Sequence, residues 1–388
     1  MKTKVGICTI TIQEENENAY NYGNRLQNYA LQCFLNENEC ECETIRYKFT
    51  SPEYKPDNGT TNKKSFKQII SDVNRIVKRK IYSKKIQLKR NERKNKFDSF
   101  ARKHIRYSNE VYNANSDFSE LNDRLDCFIT GSDQIWNPYC EGSNEFYYLT
   151  FADKSKRIAY APSIGIDKIP KEAENDFNRW VADIPYLSVR EDVGVRLLQE
   201  YAGVEAKLVC DPVFLLSRKE WMKVAQHIEN KKYFAVYILG KKDVKLKKSI
   251  EKLERLTGLS ARDIYTRDNP NSEFAGIEDF LGLIKNADFL ITDSFHGTAF
   301  SLIFGTPMII AERNGGPKMN SRIDSILKIA GVGNRSLGYL MQNPQLIKAV
   351  DSTEIDKKMR PFVEESKKYL LDAVEEVRKA GKLDDYNK

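Results

Sequence analysis

Asp288-Phe289-Leu290-Ile291-Thr292-Asp293-Ser294-Phe295-His296-Gly297-Thr298-Ala299-Phe300 decides how this chain is read. Phe289–Thr292 is a short apolar run of strand length, the next residues form a polar loop, and Thr298 onward begins a helix. A strand that hands Ser294, His296, Gly297 and Thr298 to a helix N-terminus builds a polar site. The first N–H groups of a helix have no internal partners, and its dipole favours anions. His296 is one of only three histidines in 388 residues. The plainer alternative is a capped helix start with a surface histidine.

The same alternation extends in both directions. Upstream, 4–12 is a β-branched strand, 25–36 an amphipathic helix and 42–49 a second strand. Further strands fall at 126–130, 157–161, 186–190 and 207–210, with helices at 171–182 and 192–201. The pattern then restarts, with strands at 233–239, 263–266, 289–292 and 307–311. Helices lie at 244–257, 276–285, 298–304, 321–330 and 355–380. Such alternation predicts parallel sheets covered on both faces. We therefore expect an α/β chain of two Rossmann-like domains, 1–205 and 206–350, with a cleft between them. A last helix in 351–388 is expected to pack back on the N-terminal domain.

The length suits two cores. Seven scattered cysteines, an odd number, argue for reduced thiols rather than a disulfide framework. Cys40-Glu41-Cys42 is too short to read as a zinc site, so no metal is expected. Met1–Cys8 lacks the apolar run of a signal peptide, and no stretch reads as membrane-spanning; a cytoplasmic protein is expected. The net charge of +8 is unevenly placed. Residues 62–106 hold 17 Lys/Arg against three acids, a net of +14, so the rest sums to −6. This segment carries apolar residues at helical spacing. It reads as a basic helical hairpin inserted in the N-terminal domain, with Phe97 and Phe100 starting the return helix. Its sharper reading is contact with anionic lipid headgroups or a diphosphate-bearing acceptor. Aromatic stacking signals are sparse, so no nucleic acid is expected as a partner.

Three more places combine reactive side chains with strand ends, where open α/β sheets bind ligands. Asn21-Tyr22-Gly23-Asn24-Arg25 follows the first strand, with Asn24 and Arg25 suited to hydroxyls or charge. Gly131-Ser132-Asp133-Gln134-Ile135-Trp136-Asn137 mixes the hydroxyl, carboxylate, amide and indole groups that bind sugars, with Ser132, Asp133 and Trp136 as candidates; the alternative is a structural loop anchored by its Trp. Asp133 can also accept a proton. Ser188-Val189-Arg190-Glu191-Asp192 ends a strand in a guanidinium able to take a carboxylate or phosphate in bidentate fashion. Its alternative is a local ion pair with Glu191 or Asp192. Downstream, 312–322 adds Arg313, Lys318 and Arg322 in a Gly-rich loop. The chain holds no G-x-G-x-x-G, P-loop, H-E-x-x-H or G-x-S-x-G motif.

Four of these stretches, 21–32, 131–138, 188–192 and 292–301, resemble the motifs of the polysaccharide pyruvyl transferase family, in the family's order. The resemblance covers roughly 4–330. It implies two Rossmann-like domains arranged as in GT-B glycosyltransferases. It also implies transfer of a pyruvyl group from phosphoenolpyruvate to a sugar of a polysaccharide or of its lipid-linked precursor, as a cyclic ketal. The family's arginine falls on Arg190, its histidine on His296 and its downstream lysine on Lys318. On that resemblance Arg190 and Lys318 bind the donor, while His296 binds phosphate or acts as the general acid. Asp133 orients or deprotonates the acceptor, and Asn24 and Trp136 line the acceptor side. Ser132, Ser294, Gly297, Thr298, Arg25 and Arg313 complete the substrate-binding set. No cofactor is implied beyond the donor. A lipid-diphosphate acceptor would fit peripheral contact with the inner membrane face.

Two rivals remain open from sequence. A GT-B glycosyltransferase using a nucleotide sugar would share the architecture, and a non-catalytic protein could bind anionic glycans or membranes through 62–106.

Overall fold

The structure, a computed structural model, describes residues 2–10, 20–48, 68–140, 144–228, 232–266, 269–313, 321–348 and 350–386. Side chains of 68–83, 321 and 381–386 are not described. The elements run β1 (Thr3–Cys8), α1 (Tyr22–Glu37), β2 (Cys40–Tyr47), α2 (Gln68–His104), β3 (Tyr107–Tyr112), α3 (Ser119–Arg124), β4 (Cys127–Thr130), β5 (Arg157–Ala159), α4 (Glu174–Val181), β6 (Tyr186–Val189), α5 (Asp192–Leu197), β7 (Lys207–Leu208) and α6 (Arg218–Val224). They continue with β8 (Tyr233–Tyr237), α7 (Val244–Thr257), β9 (Ser260–Asp263), α8 (Ile277–Lys285), β10 (Leu290–Thr292), α9 (Phe295–Phe304), β11 (Met308–Ile310), α10 (Ser321–Ala330), α11 (Leu337–Gln342) and α12 (Ser352–Tyr386).

Two parallel sheets result. The first has seven strands in the order β3-β2-β1-β4-β5-β6-β7, and the second four in the order β11-β10-β8-β9. Strand order reverses between β1 and β4 in the first, and between β8 and β10 in the second. A crevice opens at such a reversal because the connecting helices leave to opposite faces. Sequence chemistry sets the boundaries. Asp243 caps α7 by accepting from Leu246 N, and Gly258 ends it in the left-handed region at φ 67°. Ser294 and Gly305 do the same for α9.

Three apolar clusters correspond to the layers. One lies on the outer face of each sheet, and the third joins inner-face residues such as Ile7 and Leu26 to Leu290 and Phe300. The halves therefore share a core. Tyr22 of α1 stacks on Phe280 of α8 with ring centroids 4.2 Å apart, and its hydroxyl donates to Ala275 O at 2.7 Å. Trp221 lies between Tyr29 and Phe300. Helix α12 contacts α9, α10, β4 and β5, and Ser366 Oγ accepts from Cys210 N.

The basic segment departs from the sequence reading. A single 37-residue helix, α2, replaces the expected hairpin over 68–104, and Phe97 and Phe100 lie within it. Residues 62–67 lie outside the described ones. The helix reaches the second half: Lys96 pairs with Asp279 at 2.6 Å, and Lys89 Nζ donates to Pro270 O at 2.7 Å. Among its described side chains, Phe97 and Phe100 meet the shared core directly, so the helix continues through them where a return helix was expected to start. Strand β3 and helices α3, α6 and α11 were not anticipated, and β9 starts three residues before the expected 263. Among the described residues no helix is long and apolar enough to cross a membrane.

Because Phe280 is fully buried against Tyr22 at the joint, Phe280→Ala is expected to destabilise the protein by about 3–5 kcal/mol. Urea unfolding would read this as a lower midpoint.

Candidate functional site

The two strand-order reversals face one another, and their polar side chains meet. Helix α1 starts at Tyr22, three residues before the sequence pattern placed it, with Asn21 accepting from Gly23 N. Helix α9 starts at Phe295, three residues before the expected Thr298, so His296 and Gly297 lie in its first turn rather than in a loop. The two helix starts touch. A Cβ on Gly23 would lie 2.0 Å from His296 Nδ1, so the imidazole occupies the space a side chain would need. Glycine at 23 thus admits a histidine from the other half.

Arg190, at the end of β6, is the hub. Its side chain has no exposed surface. Nη1 is 2.5 Å from Asp211 Oδ2, Nη2 is 3.2 Å from Asp133 Oδ1, and Nε is 3.9 Å from Glu191 Oε2. Phe295 presents its ring to the guanidinium at 4.6 Å. The local pair with Glu191 is present but long, because Glu191 Oε1 is taken by Ser163 Oγ and by the N–H groups of Ile164 and Gly165, and the shorter pair is the one with Asp211. Asp192 accepts from Ser325 Oγ. Burial works against the charge on Arg190, but Asp211, Asp133 and Glu191 outweigh it and push its pKa up.

Asp211 follows β7 and is buried. His296 Nε2 lies 3.6 Å from its Oδ2, too long for a hydrogen bond but close enough for electrostatic attraction. Burial opposes ionisation of Asp211, yet His296 and Arg190 together hold its carboxyl well below the usual carboxylate range. Ser132 Oγ lies 2.7 Å from Ala161 O and 3.0 Å from Asp211 Oδ2. Gly131 before it has φ 129°, and a Cβ there would lie 2.0 Å from Tyr160 O. Glycine is therefore required to turn Ser132 and Asp133 toward Arg190.

Among the described residues, several nitrogens in this cluster have no hydrogen-bond partner: His296 Nε2, Arg190 Nε and Arg322 Nε. Arg25, whose Nε and Nη2 are also unpartnered among the described residues, lies beside Tyr107 instead. Asn24 Oδ1 is likewise unpartnered. Arg322, in the first turn of α10, is 5% exposed. Burial, and then the neighbouring Arg190, lower its pKa to about 10, with Glu191 and Asp133 only partly compensating. Burying a cation beside a second cation is costly, and an anion placed there would relieve the cost.

The remaining sequence candidates divide. Ser294, Gly297 and Thr298 serve the helix start: Ser294 Oγ accepts from Gly297 N at 3.3 Å, and Thr298 Oγ1 donates to Ser294 O at 3.0 Å. Arg313 is pinned to Asp293, donating to its carbonyl at 2.9 Å. Asp133 Oδ1 is shared between Arg190 and Gln134 N. Trp136 does not line the cleft. It is wholly buried, stacks on Tyr148 at 5.0 Å and donates to Tyr147 O, because the indole anchors the loop after β4 in the core. Lys318 lies outside the described residues. Asp211, which the sequence did not single out, and Arg322, named only as a neighbouring cation, are the residues sequence reasoning undervalued. Among the described residues no group of His, Cys, Asp and Glu is arranged to hold a metal ion.

A family model described as polysaccharide pyruvyl transferase matches residues 21–314, more than half of the chain. Among solved structures, a UDP-N-acetylglucosamine 2-epimerase from Rickettsia bellii is similar at 11% identity, with 96% of each chain covered and a TM-score of 0.50. A putative UDP-N-acetylglucosamine 2-epimerase from Listeria monocytogenes is similar at 9% identity, covering 92% of this chain and 90% of that one, also at 0.50. At such identities the likeness is one of fold: Rossmann-like halves in a GT-B-like arrangement. No curated protein is a significant match by sequence.

Removing the charge of Asp211 while keeping its shape leaves Arg190 short of its nearest partner. Asp211→Asn is expected to cost about 3–5 kcal/mol. The sign with pH follows from the lowered carboxyl. The stabilisation by Asp211 is complete above the ordinary aspartate value of about 3.9 and is lost as pH falls through its folded-state value. Thermal melts from neutral pH down to about 3 should therefore bring wild type toward Asp211→Asn only at the acid end.

Proposed function

Because the chain belongs to the polysaccharide pyruvyl transferase family, we propose that it moves the pyruvyl group of phosphoenolpyruvate onto two hydroxyls of one sugar, as a cyclic ketal. Methylene C3 of the donor takes a proton, which makes C2 an oxocarbenium-like electrophile. A sugar hydroxyl adds to C2, the C2–O bond to phosphate breaks, and inorganic phosphate leaves. A second hydroxyl closes the ring on C2. Two hydroxyl protons are lost: one balances the proton on C3 and the other leaves with phosphate or solvent.

The observation that carries this reading is the set of buried, unpartnered N–H groups on Arg322, Arg190 and His296 at the junction of the halves. A carboxylate and a phosphate on a three-carbon frame need several fixed donors in a site dry enough to strengthen them. Arg322 takes the anion most directly, with Lys318 as a second cation. Arg190, already held by Asp211 and Asp133, contributes its single free Nε and otherwise positions His296 through Asp211. His296 delivers the proton to C3 or steadies the leaving phosphate. Asp133 acts through Arg190, and Asn24 faces the acceptor. The GT-B-like fold alone would suit a nucleotide-sugar transferase equally. The cluster of cations is what favours a small, highly charged donor.

The test needs no acceptor. Phosphoenolpyruvate at about a hundred times its Kd should stabilise the wild type by about 2.7 kcal/mol, visible as a raised Tm, while any shift with UDP or GDP should be unchanged in Arg322→Ala. Arg322→Ala and Lys318→Ala should each lose most of it. A wild type indifferent to phosphoenolpyruvate would refute the reading. Once an acceptor is in hand, His296→Gln separates the histidine's two roles: a collapse of kcat marks the acid, a raised donor KM marks the phosphate ligand.

A further inference from the structure

The apolar register of helix α2 changes sides along its length. In its second half the side that packs on the body is plain. Ile86, Arg93, Phe97 and Phe100 are buried and recur at the spacing of one helix face. Leu88 belongs to the opposite face and is 56% exposed. Eighteen residues make about five whole turns of an α-helix, so positions 18 apart share a register. Counting back, the registers of Ile86, Arg93 and Phe97 fall on Gln68, Arg75 and Arg79, which are polar or charged. The register of Leu88 falls on Ile70, with Val77 and Ile81 on the same line between them. The apolar line through 70–88 thus follows the register that leads away from the body further along the helix.

Cations border that line. Lys84 and Lys85 lie to either side of it, one turn before Leu88, and both are exposed. Arg102 and Lys103 repeat their registers 18 residues later, about 27 Å along the helix, and are exposed as well. None of the four forms an ion pair among the described residues. Glu92 is the one fully exposed acid among the described side chains of α2. Residues 68–104 hold 13 Lys/Arg against three acids, a net of +10.

This pattern selects its partner. An apolar line edged with lysines suits a surface that is apolar within and anionic without. The aliphatic stems lie along acyl chains while the ammonium groups reach the headgroups. A second copy would set one strongly cationic helix beside another. A nucleic acid or acidic glycan would satisfy the charges and leave the apolar line without purpose. So cationic a helix lies along a bilayer rather than across it.

We propose that α2 docks the protein on an anionic lipid bilayer. Ile70, Val77, Ile81 and Leu88 enter the boundary between headgroups and acyl chains, and Lys84, Lys85, Arg102 and Lys103 meet the headgroups. The inference is independent of the pyruvyl-transfer reading, since none of these residues belongs to the polar cluster.

Co-sedimentation of the full chain with vesicles tests it, using phosphatidylcholine alone and an equimolar mixture with phosphatidylglycerol. The wild type should bind the mixed vesicles, release them as salt rises, and ignore the neutral ones. Lys84→Ala/Lys85→Ala/Arg102→Ala/Lys103→Ala should weaken binding by at least about tenfold. Alanine at Lys245, Lys248, Lys252 and Arg255, four exposed cations of α7, removes the same charge and should leave binding in place. Ile81→Gln/Leu88→Gln, which keeps the charge, should weaken it by about fivefold. The four α2 cations are exposed, so their variant tests the proposal even where the glutamines disturb the helix. No binding to mixed vesicles, or an equal loss in the α7 variant, would overturn the proposal. So would affinity for a DNA duplex matching that for vesicles and indifferent to the two glutamines, which would assign the face to a polyanion. A wild-type dimer in the absence of lipid that the two glutamines dissolve would assign it to a second copy instead.

Discussion

The buried pair between Arg190 and Asp211, 2.5 Å apart with neither side chain exposed, is the constraint on which the rest depends. Two charges taken out of water are tolerated only when each has further partners, and removing one strands the other. Those partners come from separate parts of the chain. Asp133 belongs to the loop after β4, Glu191 follows β6, and His296 and Phe295 arrive on α9 from the other sheet. One ion pair therefore dictates how the two halves meet. The glycine at 23, the turn at Gly131 and the early start of α9 are local adjustments that let the groups reach it.

The topology explains why these groups are available. Each sheet reverses its strand order once, and each reversal leaves polar loop ends that no neighbouring strand or helix covers. In most α/β proteins a single crevice of this kind holds the ligand. Here two crevices oppose one another, and the shared apolar core through Tyr22, Phe280, Trp221 and Phe300 sets their separation. Helix α2 belongs to this same joint, since Lys89, Arg93 and Lys96 all reach residues of the second half. The basic segment that the sequence suggested for membranes is used, over its described side chains, at least in part to hold the halves together.

The alternation of elements was legible because strands of apolar, β-branched residues and capped amphipathic helices leave local signals. Helix α7 and helix α10 have the bounds the sequence suggested, 244–257 and 321–330. The site was legible only as a set of neighbourhoods. Arg190 and His296 stood out by type and by position at strand ends, but their commitment to Asp211 could not be read, since that contact joins residues 21 and 85 positions apart. Trp136 misled because an indole among polar residues looks like a sugar platform, whereas burial on Tyr148 is a tertiary fact. The hairpin in 62–106 failed for a related reason. Helical periodicity does not say whether a long helix turns back, and only the core that receives Phe97 and Phe100 decides it.

The central claim is that the Arg190–Asp211 network presents His296 and Arg322 to a small, multiply charged donor. Since the chain has only His104, His227 and His296, histidine-labelled NMR can watch the site with few signals. Titration with phosphoenolpyruvate should move the ring resonances of His296 to saturation in the wild type, leave His104 and His227 in place, and lose its effect in Arg322→Ala. Binding of phosphoenolpyruvate with His296 unmoved would contradict the account.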